Sequence, residues 1–201
     1  MTQTHKDFSA SVFSARPDYN EAAVRKEFAE LMPLRTIIIY CFDPRAAGIP
    51  DAVARELGDV YPGEVLTGPD GKGIGTTATV LNVVVAGGRA MDALRSITVG
   101  QHLLGVENVV VVHHTHCGAT SYTAEGIVEA FKTEHGADIS DLYPRESVCI
   151  SDDESSLKHD TRLIRDSAGT PPHVNVYGYV YDIDTGELTR VVEDRAAPGT
   201  A

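Results

Sequence analysis

Val109-Val110-Val111-Val112-His113-His114-Thr115-His116-Cys117-Gly118 is the stretch that decides the fold. Four consecutive β-branched valines read as a fully buried strand, and Gly118 begins a turn into the next helical pattern. The strand hands an imidazole and a thiol to its own end, where α/β proteins usually place their chemistry.

A similar delivery comes earlier. Thr36-Ile37-Ile38-Ile39-Tyr40 runs straight into Cys41-Phe42-Asp43-Pro44-Arg45. A further buried strand, Ala78 to Ala86, is closed by Gly87-Gly88, and helical patterns separate these runs. Asn20 can cap a helix over 21–32, and further helices are expected over 50–57, 89–104, 121–133 and about 151–167. Residues 67–75 read as a loop and 134–147 as an insertion of undefined shape. Val174 to Tyr181 alternates as a strand, and Asp184-Thr185-Gly186 turns it into a short hairpin with Leu188 to Val192. The class is therefore α/β, a central mainly parallel β-sheet flanked by helices. Residues 1–18 are polar and aperiodic and form an N-terminal arm; 19–201 form one domain.

The 201 residues carry a formal charge of −12. An acidic balance argues against nucleic acid or an anionic membrane as partner. No run approaches the roughly 18 apolar residues that would span a bilayer, and Met1 to Asp7 lacks a hydrophobic signal core, so a cytoplasmic protein is expected. Three cysteines cannot all pair. In a reducing compartment, metal binding is the better use of the two that sit at strand ends beside histidines.

Cys41, His114 and Cys117 make a Cys2His set. Thiolate and imidazole are ligands that zinc prefers, and three protein ligands leave a fourth position for water. A zinc-bound water with a pKa near ~7 supplies hydroxide at neutral pH. The competing reading is that a strand-end cysteine is a small packed residue and the histidines are ordinary polar positions. Asp43 and Arg45 tip the balance toward a metal. The carboxylate can reach either the metal, which would close the open site, or the guanidinium. On the guanidinium it stays available to accept a hydrogen bond from the hydroxide.

Cys41-Phe42-Asp43-Pro44-Arg45 followed by His114-Thr115-His116-Cys117-Gly118 resembles the β-class carbonic anhydrase signature, Cys-x-Asp-x-Arg then His-x-x-Cys-Gly. The likeness runs through Ala86-Gly87-Gly88-Arg89, Leu94-Arg95-Ser96, Leu103-Leu104-Gly105 and Tyr181-Asp182-Ile183-Asp184-Thr185-Gly186. It is to the short, single-domain members above all, including the carbonyl sulfide hydrolase relatives, and covers roughly residues 20–192. The resemblance implies one Zn2+ per chain held by Cys41, His114 and Cys117, with Asp43 and Arg45 as the catalytic gate that orients the hydroxide. It also implies a homodimer or homotetramer. The substrate it implies is small, gaseous and linear: carbon dioxide, hydrated to bicarbonate, or carbonyl sulfide, hydrolysed to hydrogen sulfide and carbon dioxide.

Two departures bear on that choice. Val84-Val85 stands where the family usually has Arg-Asn, and His116 stands where it often has Asp. Sulfur is less readily hydrogen-bonded than oxygen, so a drier pocket penalises it less than a polar one, in which groups left unpaired beside the sulfur cost free energy. Carbonyl sulfide is therefore expected to be a good substrate. His113, His116 and His102 are candidate proton carriers. Two other classes remain: a non-catalytic relative whose zinc is closed by Asp43, and a thiol enzyme with Cys41 or Cys117 as nucleophile. Gly71 to Thr77 lacks phosphate-loop spacing, and Gly87-Gly88 reads as close backbone packing. Cys149 is expected to be buried, and Tyr177, Tyr179 and Tyr181 to pack on one strand face.

Overall fold

A computed structural model describes residues 14–196. Of the expected arm, residues 1–13 lie outside the described residues. In chain order the elements are α1 (Glu21–Leu31), β1 (Thr36–Cys41), α2 (Ile49–Leu57), β2 (Val65–Thr67), β3 (Gly73–Thr76), β4 (Val80–Val85), α3 (Leu94–Leu104), β5 (Asn108–His114), α4 (Ala124–His135), α5 (Arg145–Val148), α6 (Asp153–Asp166), β6 (Asn175–Tyr181) and β7 (Leu188–Asp194).

Local chemistry sets the ends. The Asn20 side chain accepts from Ala23 N at 3.0 Å to start α1, and Asp152 does the same for Ser155 N at 2.7 Å to start α6. Gly58, Gly105 and Gly136 close α2, α3 and α4 in the left-handed conformation.

The main sheet has the order β4-β1-β5-β6-β7. The first four strands run parallel, and β7 returns antiparallel to β6. The chain leaves β1 toward β4 on one side and leaves β5 toward β6 on the other. The carboxyl ends of β1 and β5 thus flank a topological switch point, the crevice where open α/β sheets bind ligands. Cys41 ends β1 and His114 ends β5.

Strand alternation splits the core between two faces. Ile38, Tyr40, Val110, Val112, Tyr177 and Tyr179 pack with Ile49 and Val53 of α2 on one face. Ile37, Ile39, Val109, Val111 and Val176 pack with Ile97 of α3 and with Leu157 and Ile164 of α6 on the other. Tyr177, Tyr179 and Tyr181 share one buried face, as expected of a packing role.

Three expectations need correction. The 67–75 loop is the turn of an antiparallel hairpin of β2 with β3, missed because its strands are only 3 and 4 residues long and the second is half glycine. The strand at 80–85 is an edge strand with alternating exposure, not a buried one; Val84 is 49% exposed. Cys149 is half-buried. No helix among the described residues is long and apolar enough to cross a membrane.

Gly87 and Gly88 bear out close packing. Gly88 has φ 68°, and a Cβ there would lie 2.8 Å from Val112 O and 3.0 Å from Tyr40 Cα. Both obstacles are backbone at the strand ends that carry the site. Gly88→Ala is expected to cost at least ~2 kcal/mol from left-handed strain plus overlap, read as a lowered midpoint in urea. An unchanged midpoint would show that the turn can yield.

Candidate metal centre

Parallel pairing places Tyr40 beside Val112, so Cys41 and His114 emerge at nearly the same level. After His114 the chain turns through Thr115 and His116 and brings Cys117 back. His116 takes φ 55°, a left-handed conformation in which Asp, Asn and His are enriched among non-glycine residues. The turn is held from β6: Thr115 N donates to Tyr181 O at 3.0 Å, and Ile183 N donates to Thr115 Oγ1 at 3.1 Å. The Tyr181-to-Gly186 motif therefore braces the ligand turn. Asp182 accepts from Asp184 N and Thr185 N at 2.8 and 2.9 Å, which holds its carboxyl below the usual range.

The ligand atoms of Cys41, His114 and Cys117 all lie within 4.8 Å of one another, and all three residues are buried. The two Sγ atoms are 3.9 Å apart, and neither cysteine is in a disulfide. Two sulfurs each about 2.3 Å from one tetrahedral zinc would be roughly 3.8 Å apart, so the spacing suits a shared ion. His114 Nδ1 lies 2.9 Å from Thr115 O, and because a carbonyl only accepts, Nδ1 carries the hydrogen. That leaves Nε2 with a lone pair, buried and without a hydrogen-bond partner. An orphaned imidazole nitrogen facing two thiols is a donor set that fits a metal of zinc's type. Asp43 N donates to Cys41 Sγ at 3.4 Å.

Asp43 lies outside the cluster and is taken up by Arg45. Its Oδ1 accepts from Arg45 N and Nε, each at 3.0 Å, and its Oδ2 accepts from Nη2 at 2.6 Å. Arg45 beside it holds the carboxyl at about 2, so it is ionised throughout the physiological range. Nη2 also donates to His116 O at 2.9 Å. Arg45 thus bridges the Cys41 motif to the His114–Cys117 turn, a link that motif spacing alone does not reveal.

The histidines divide. His116 is exposed and lies at the centre. His113, adjacent to His114 in a strand, points to the opposite face and is fully buried, with Nε2 3.4 Å from Asp160 Oδ2. It has no route to solvent of the kind a proton carrier needs. His102 pairs with Glu21 at 2.7 Å near the end of α3, which leads into the amino end of β5, far from the strand ends that carry the site. Sequence reading also missed Arg89 and Asp160, buried on the far side of the sheet. The only signal for Arg89 was its place directly after Gly87-Gly88.

Burial pushes the Cys117 thiol up to about 11. A metal ligand must be a thiolate, so binding near neutral pH has to expel that proton. The sign is fixed: below about 11 the proton competes, and raising the pH removes the competitor. Zinc affinity is expected to rise about tenfold per pH unit for each proton released. Calorimetry in buffers of differing ionisation enthalpy counts those protons, and a pH-independent affinity with none released would contradict the assignment.

No family model matches the chain. Beta-carbonic anhydrase 1 of Mycobacterium tuberculosis is 30% identical over 100 residues, covering 50% of this chain and 59% of that protein. A carbon disulfide hydrolase of Acidithiobacillus thiooxidans is 26% identical over 112 residues, covering 48% of this chain and 56% of the relative. The chain thus spans less than two thirds of the length of these relatives. Among solved structures, the carbonic anhydrase of Streptococcus mutans superposes with a TM-score of 0.61 at 27% identity, covering 81% of this chain and 86% of that one. An apo form of carbon disulfide hydrolase shares the fold, with a TM-score of 0.56 at 20% identity over 89% of this chain and 86% of that one.

Proposed function

We propose that the chain is a member of the β-carbonic anhydrase family, a zinc enzyme adding hydroxide to a linear substrate of the carbon dioxide type. Carbonyl sulfide and carbon dioxide are the substrates. The observation that carries the reading is the convergence of Cys41, His114 and Cys117 with the ionised Asp43 drawn onto Arg45 beside them.

Cys41, His114 and Cys117 would hold the zinc, which would supply a water acidic enough to act as hydroxide near neutral pH. The chain's own groups do the rest. Arg45 holds Asp43 outside the Cys41–His114–Cys117 cluster, so the carboxylate would not serve as a fourth ligand. The ionised carboxylate only accepts hydrogen bonds, so it selects an incoming group with an O–H to offer and sets its orientation. Hydroxide has that hydrogen. In balance, carbonyl sulfide and water give hydrogen sulfide and carbon dioxide, while carbon dioxide and water give bicarbonate and a proton. His116, exposed at the centre, can take the proton to solvent.

Val84 supports carbonyl sulfide. It pairs with Tyr40 in parallel register, so it points to the sheet face shared by Tyr40, Val112 and His114, while Val85 packs on the other face. Only one of the two valines that replace Arg-Asn can therefore line the approach to the site. An apolar group there leaves no polar partner to be stranded by sulfur. The names of relatives in both groups, carbonic anhydrases and carbon disulfide hydrolases, agree with a substrate between the two.

The same reading takes the protein as a cytoplasmic homodimer or homotetramer. The open edge of β4, with Val84 and Val99 of α3 exposed near it, is apolar enough to need covering.

The test is hydrogen sulfide release from carbonyl sulfide beside carbon dioxide hydration on one preparation, with a metal-stripped control. Metal-dependent turnover of carbonyl sulfide is expected to be at least equal to hydration. Val84→Arg is expected to shift the ratio several-fold toward carbon dioxide. Hydration without sulfide release would overturn the carbonyl sulfide assignment, and silence on both substrates would overturn the enzyme reading.

A further inference from the structure

Behind the metal centre, on the opposite face of the sheet, lies a fully buried ion pair that the proposed chemistry does not use. Arg89 and Asp160 have side chains 3% and 0% exposed. Arg89 Nε donates to Asp160 Oδ2 at 2.8 Å and Nη2 to Oδ1 at 3.1 Å, a two-pronged grip. The fork has further donors. Nη2 also donates to Glu146 O at 2.8 Å, and Nη1 donates to Cys149 O.

Each end of this pair leads to a ligand. Arg89 directly follows Gly88, whose position would put a Cβ 3.2 Å from Cys41 N. The carbonyls it holds belong to the 146–150 segment. That segment is tied to the Cys117 turn by Ile150 N donating to Ala119 O at 2.9 Å and by Tyr122 OH donating to Val148 O at 3.0 Å. Asp160, on α6, lies 3.4 Å from the ring of His113, the neighbour of His114 along β5. One guanidinium–carboxylate pair therefore meets the supports of Cys41, of Cys117 and of His114.

A buried ion pair is a poor way to gain stability, since apolar side chains of similar size are often as stable or more so. Its geometry is another matter, because the planar guanidinium fixes direction as well as distance. We propose that Arg89 and Asp160 are positioning residues of the metal centre, fixing where Cys41 stands relative to the His114–Cys117 turn. This rests on the reading that the three ligands hold a metal, and it adds what sets their spacing.

The test compares the native protein with Arg89→Lys, Asp160→Asn and the double variant Arg89→Met/Asp160→Leu. Each is loaded with zinc or cobalt(II). Zinc release to a chelator, the cobalt absorption spectrum and the melting temperature are recorded. The double variant, apolar on both sides, is expected to melt near the native temperature yet release zinc about 10–100-fold faster, with an altered cobalt spectrum. Lysine keeps the charge but cannot grip Asp160 and both carbonyls together, so Arg89→Lys is expected to fall between. Should the double variant fail to fold, Arg89→Lys and Asp160→Asn carry the same readouts. Folded variants with native zinc release and a native cobalt spectrum would overturn the proposal, leaving the pair a packing element. A native protein that takes up neither metal would overturn the metal reading itself, an outcome distinct from the first.

Discussion

The pairing of β1 with β5 is the constraint on which everything else depends. These two central parallel strands run Thr36 beside Asn108 through to Tyr40 beside Val112. Side chains alternate faces, so a slip of one residue would turn His114 away from Cys41 and put His113 in its place. Polar side chains at the far end guard against that slip. Asn108 Nδ2 donates to Thr36 Oγ1 at 3.1 Å, and Asn175 Nδ2 donates to Asn108 Oδ1 at 3.0 Å, lining up three strands in one row. Thr36 Oγ1 in turn donates to Asp59 Oδ2 at 2.7 Å, and Arg35 grips the same carboxylate. The polar row lies at one end of the strands and the ligands at the other, with the packed core between.

The same alternation gives two adjacent histidines two environments. His114 faces the thiols with one ring nitrogen hydrogen-bonded and the other bare. His113 faces Asp160, which stays ionised below its usual range despite burial because His113 and Arg89 are beside it. One strand end thus meets the Cys41–His114–Cys117 cluster on one side and a buried charge cluster on the other. Displacement on either side is felt by both, because cores deform little.

Periodicity made the buried strands legible, because runs such as Ile37-Ile38-Ile39 and Val109 to Val112 admit few other readings. The convergence of Cys41 with His114 and Cys117 was legible for the same reason: both strand ends had to reach the same edge of a parallel sheet. The β2–β3 hairpin was not, since strands of three and four residues are too short to carry a hydrophobic period. Nor was the edge position of β4, because Val80 to Val85 is as apolar as the buried strands. Which of Val84 and Val85 looks toward the site is a matter of register, absent from composition. Arg89 and Asp160 are 71 positions apart, and no local pattern joins them.

The central claim is that Cys41, His114 and Cys117 hold one metal ion with a fourth position open. The most direct test is the X-ray absorption spectrum of the zinc-loaded protein at neutral pH, with Asp43→Asn beside it. The account predicts two sulfurs near ~2.3 Å and two lighter ligands near ~2.0–2.1 Å. Because Asp43 is held on Arg45, the first shell should be the same in the variant. A shell without sulfur, or one that changes when Asp43 is replaced, would contradict it.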